Sequence, residues 1–224
     1  TFAGSPIGGA TGLDKDGAAR LTLSTSNAFA GATRVRAGTL ALGSAQALGA
    51  VPMLLMPSQL VVEAGATLEA VGPLALPAER GVVIGTPAAG GIVTIATGTN
   101  TVTIPGGLSA HGSATAGLAK TGGGLLTLGA VNTYVGGTAV DGGTLVVGGG
   151  ANPLFTNGTV AVAAGATLNL GGQNQTLAGG LTGTGVVTST GGILTLVVAT
   201  GTTNVFDGSL AGGISVVKSL PGTL

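Results

Sequence analysis

The sequence predicts an all-β chain wound as a β-solenoid, and three observations carry that expectation. Residues 12–43 recur without a gap as residues 117–148, at a constant offset of 105, with 15 of 32 positions identical. Short runs of alternating apolar and polar residues fill the chain, each closed by a glycine-rich turn signal. The composition is the third: 46 glycines, 6% charged and 2% aromatic residues among 224, against about 25% charged in ordinary soluble domains. Gly and Pro together reach about a quarter of the chain, a level at which disorder competes. The many β-branched residues and a mean hydropathy of +0.65 argue instead for a folded chain.

Taken in order, the alternating runs are Leu21 to Leu23, Thr33 to Val35, Thr39 to Leu42, Leu60 to Val62, Ile92 to Ile95 and Val102 to Ile104. Beyond them come Leu126 to Leu128, Leu145 to Val147, Val160 to Val162, Leu168 to Leu170 and Leu194 to Leu196. No window of helical length has apolar residues at a 3.6-residue period, and the glycine density weakens any helix. The echo extends past its best block: residues 64–68 return as 164–168 at offset 100, so the first copy has about five extra residues around Met53 to Pro57. Residues 90–95 return as 191–196, and Phe2 to Lys15 returns as Phe206 to Lys218. One continuous solenoid over 1–224 is expected, with repeats at about 12–116 and 117–213 and a third copy cut at 224. A period near 100 is too long for one supersecondary unit and reads as four to six coils of roughly 18–25 residues. Some ten coils, stacked about 4.8 Å apart, make a rod on the order of 50 Å long. Ladders of like residues fill it, with Val35 set against Leu40.

The positions kept between copies are Lys15/Lys120, Asn27/Asn132, Phe29/Tyr134, Gly38/Gly143, Thr39/Thr144 and Leu40/Leu145, and Lys218 is the matching lysine of the third copy, which begins around Ile214. This pattern resembles the autotransporter-associated β-strand repeat of bacterial type V secreted proteins and related large surface proteins. The stretch Gly117 to Gly148 fits it well; Gly12 to Gly43 fits more loosely, with Ala18, Ala19 and Arg20 in place of Gly123, Gly124 and Leu125. The resemblance implies a right-handed parallel β-helix, exported and displayed on the cell surface or outside the cell. The lack of cysteine agrees, because such segments cross the outer membrane unfolded.

Chemistry is sparse. With no cysteine, disulfides and thiolate metal sites are excluded. Seven basic and seven acidic residues are scattered, so no nucleic-acid stripe forms. No 18-residue apolar run exists to insert this segment into a membrane. His111, the only histidine, reads as a surface-loop residue. The near acid pairs Asp14/Asp16 and Glu63/Glu69 read as solvated turn residues, and Asp141 and Asp207 lie apart. No cofactor or metal is expected. The repeated lysine reads as a turn residue whose stem covers apolar surface and whose charge discourages edge pairing, or else as an anion or glycan contact. The expected function is a non-catalytic structural segment: stalk, spacer or adhesive surface. Its partners would be itself, other surface proteins or glycans. One alternative is a filament subunit stacking end to end into a homopolymer. The other is a β-helix enzyme acting on polysaccharide.

Overall fold

The computed structural model describes residues 5–86, 90–112, 115–198 and 203–219. The lead-in Phe2 to Gly4 and the closing Thr223 and Leu224 lie outside them. All strand pairing among the described residues is parallel, and the chain winds as a β-solenoid of about nine turns. At about 4.8 Å per coil the rod is about 40 Å long.

Three faces run along it. The first carries Leu13–Lys15, Thr33–Val35, Met56–Val62, Arg80–Ile84 and Leu108–Ala110, and resumes with Gln175–Leu177, Ile193–Val197 and Ser215–Ser219. Two intervening levels lack strands but keep the stacking through backbone bonds, Thr133 N–H to Leu108 C=O and Asn132 N–H to Pro153 C=O. The second face holds eight strands, from Arg20–Leu23 to Leu181–Gly183. The third holds seven, from Leu74–Ala75 to Ser209–Gly212. The sole helical element among the described residues is a 3-10 turn, Ala45–Leu48.

Parallel strands repeat the same pleat at each level, so inward residues stack in columns. Leu21, Leu40, Leu68 and Ile95 form one; Val102, Leu126, Leu145, Leu168 and Val187 form another. The core is thus Leu, Val and Ile, nearly all with no exposed surface. Val35 does not face Leu40: it stacks with Lys15 and Val62 on the first face, while Leu40 belongs to the second. Adjacent runs in sequence occupy different faces, so only residues a full coil apart can share a column.

The 105-residue echo does not map a residue onto the same face. From Lys15 the first-face column climbs through Val35, Val62 and Ile84 to Ala110, four coils up. Lys120 lies one further step along, on the second face, in register with Ile95. Lys218 is back on the first face, paired with Leu196. What recurs is a corner, two short strands and the turn between them, and it is seated at different corners of the prism.

Candidate functional site

The corner is built around its lysine. Alternation puts Lys120 on the same side of its strand as Leu118, and that side is the core. Lys120 is fully buried, stacked between Ile95 and Val140. Its stem replaces an aliphatic residue in the column. Its Nζ donates to the carbonyl oxygens of Gly122 at 2.5 Å, Gly124 at 2.7 Å and Gly142 at 2.7 Å, and lies 3.0 Å from Thr97 Oγ1. The Gly122 and Gly142 carbonyls belong to the tight turn and to the coil above, outside the strand ladder, whereas the Gly124 carbonyl also accepts from Thr144 N–H at 3.1 Å. Lys15 does the same with Asp16, Gly17 and Ala37 at 3.0, 2.6 and 2.8 Å. Both ammonium groups are therefore turned inward, which corrects the reading of a surface turn lysine and removes these two as contacts for an external anion or glycan. Burial pushes the Lys120 ammonium down to about 8. Lys218 is exposed on the strand Ser215–Ser219.

Asparagine stitches the coils where strands are missing. Asn132 Oδ1 accepts from Leu108 N–H at 2.8 Å in the coil below, and its Nδ2 donates to Pro153 C=O at 2.8 Å in the coil above. Asn27 does likewise with Ile7 N–H at 2.8 Å and Ala47 C=O at 2.7 Å. Each side-chain amide stands in for a peptide group of the ladder. Gly38 and Gly143 adopt φ of 66° and 60°, and a Cβ on Gly143 would sit 2.3 Å from the Gly124 oxygen. Both demands select glycine. Thr39 and Thr144 are half-buried beside them, and Leu40 and Leu145 point into the core with no exposure.

The ring positions differ in one atom. Tyr134 Oη lies 2.7 Å from Thr138 Oγ1, both buried, and burial raises the phenol well above its usual range. In the first copy Phe29 has no hydroxyl, and the matching Thr33 Oγ1 is buried without a partner. Phe29→Tyr is expected to raise the unfolding free energy by about 1 kcal/mol, read as a higher urea midpoint at unchanged m-value.

The acids do not converge. Glu69 takes a two-pronged contact from Arg20, at 2.7 and 3.0 Å, Glu63 pairs with Arg34, and Asp14 pairs with Arg36 at 2.9 Å. The Arg36 hydrogen bonds hold the Asp14 carboxyl below its ordinary range. Glu63 and Glu69 thus answer to different arginines on different faces and do not act as a dyad. His111 is half-buried beside Ser58 and Val83. Among the described residues no three metal-ligating side chains come together, and no helix is long and apolar enough to cross a membrane.

The residues that recur thus define a class: a parallel β-solenoid assembled from interchangeable, internally clamped corners. The family model of the passenger-associated-transport-repeat matches the chain over residues 13–42 and 118–147, the two stretches that contain the buried lysines. These two matches are consistent with passenger repeats of the autotransporter kind. No curated protein matches the chain, and no solved structure matches it.

Proposed function

We propose that this chain is a non-catalytic rod segment of an exported passenger, holding other parts of its protein away from the cell. One observation carries the reading: what the repeat preserves is interior clamping, while outward residues vary from copy to copy. Stacked parallel coils resist bending because each level is tied to the next along three faces. The outside is also chemically quiet. Ten of the fourteen charged residues lie within residues 14–80, and of the other four Lys120 is buried. The upper coils therefore expose only Asp141, Asp207 and Lys218 as charges and otherwise present Thr, Ala, Val and Asn, suited to broad, nearly neutral contact.

The absence of cysteine makes a direct test available. A Thr101→Cys variant places one thiol at an exposed third-face position. On intact producing cells it is expected to react with a membrane-impermeant maleimide. Labelling only after lysis would overturn the surface assignment. Saccharide turnover that disappears on changing Glu63 or Glu69 to Ala would overturn the non-catalytic one.

A further inference from the structure

The least expected surface in the molecule is the segment 51–56, Val-Pro-Met-Leu-Leu-Met, which leaves the rod as a tongue and rejoins it at Met56, the first residue of the strand Met56–Val62. Met53 is 97%, Leu54 78% and Leu55 61% exposed, with Val51 and Met56 about half exposed. Both methionines of the chain are in it, Pro52 and Pro57 bracket its Met53 to Met56 stretch, and no charged residue occurs from Ala37 to Val62. It coincides with the extra residues of the first copy, so the corner repeat does not require it. A connection that only had to turn would be polar. Its root is fixed: the buried Arg80 donates from Nη2 to the Gly49 and Ala50 carbonyls at 3.2 and 2.9 Å.

Beside the tongue runs a groove on the first face. Leu55 and Pro57 form one wall, Gly81 and Gly107 lie along it, and Val131, 42% exposed, stands opposite; its volume is about 190 Å³. Through Val131 and Thr133 it continues into a second depression of about 280 Å³ edged by Leu154 and Phe155. No charged side chain lines either part. From Pro57 to Phe155 the groove spans five levels, about 20 Å.

We propose that the tongue is a dimerisation element, with the tongue of each copy laid in the first-face groove of the other. The segment that matches the groove in apolar character and neutrality is the tongue itself, and a two-fold arrangement buries both tongues and both grooves at once and closes. Each tongue exposes on the order of 500 Å² of apolar surface. Covering two tongues and the grooves beneath them passes the roughly 1,200 Å² that a specific interface needs. Methionine and leucine adapt to such a groove without a fixed register. This dimer is lateral, and it leaves the rod reading above unaffected if it fails.

Sedimentation equilibrium of the 224-residue chain over a wide concentration range tests it. A reversible dimer is expected, and Met53→Asp with Leu54→Asp should weaken it at least about 100-fold, because carboxylates would be buried against a neutral groove. Unchanged circular dichroism and thermal midpoint in the variant show that the fold is intact. A mixture of Leu54→Cys chains with Val131→Cys chains should form mixed disulfides faster than a mixture of Leu54→Cys with Thr188→Cys chains. A wild-type chain that stays monomeric, a dimer unaffected by the aspartates, or a monomer that instead floats with phosphatidylcholine vesicles through its tongue would each overturn the proposal.

Discussion

Lys120→Met is expected to lower the unfolding free energy by about 3 kcal/mol, although it replaces a buried charge by an apolar side chain of similar length. Removing a buried charge is often harmless or favourable, so the sign depends on what the charge leaves behind. Methionine fits the column between Ile95 and Val140, but the Gly122 and Gly142 carbonyls lose the ammonium as their donor, while the Gly124 carbonyl keeps Thr144 N–H. Orphaned buried acceptors cost about 1–3 kcal/mol each, and two of them outweigh the relief of no longer dehydrating one ammonium. Thr97 Oγ1 keeps its bond to Thr121 C=O. At 2–4 °C per kcal/mol for a chain of this size, the thermal midpoint should fall by about 10 °C. The pH profile provides a second readout. Lys120 holds its proton only up to about 8 in the folded chain, whereas the unfolded chain keeps it to about 10.4. Between those values the unfolded state binds more protons, so the lysine's contribution rises with pH there and is smallest below 8. Urea titrations at pH 7, 9 and 10 should show that rise in the parent chain and not in the methionine variant. An equally stable variant would mean that the corner carbonyls find other partners.

Asn132→Ala should cost about 2–3 kcal/mol. The side chain joins three consecutive coils at a level where the first face has no strand, so nothing else holds Leu108 N–H. Alanine leaves that donor buried and unpaired, while the Pro153 carbonyl keeps the Asn132 N–H as a partner. The loss is therefore weighted toward one orphaned donor plus a small void. Hydrogen exchange checks this directly: the Leu108 amide should become one of the faster-exchanging amides of the core, while Leu126 and Leu145 keep their protection. A uniform loss of protection would indicate global destabilisation instead.

Much of the fold is legible in the residues. Alternation at Leu126 to Leu128 or Leu145 to Val147, with glycine on both sides, leaves little besides short strands, and the long echo without reactive residues leaves little besides a stacked architecture. The face each strand occupies is less legible, because coil lengths vary: Lys15 to Val35 spans 20 residues and Val35 to Val62 spans 27. The lysine was the informative failure. Charge argues for the surface, yet the same period-2 rule that assigns Leu118 inward assigns Lys120 inward too. The glycines that follow supply bare carbonyls and room for the ammonium. Asn132 was readable as a special position but not as a bridge between coils, since its partners Leu108 and Pro153 are 24 and 21 residues away. The Thr33 hydroxyl gave no signal by itself; only comparing Phe29 with Tyr134 reveals the missing partner.

The seating of the corner has a consequence for how such a rod can change over generations. Lys15 and Lys120 sit on different faces, and Lys218 returns to the first, so the corner folds at whichever vertex it reaches. Unequal recombination between two copies therefore need not excise a whole number of coils. An exchange that joins the Lys15 corner to the Lys120 corner leaves a buried lysine with its turn carbonyls intact, and the columns above re-form from the next inward residue. Such an exchange adds or removes four coils and one further face, and so rotates everything beyond it about the rod axis.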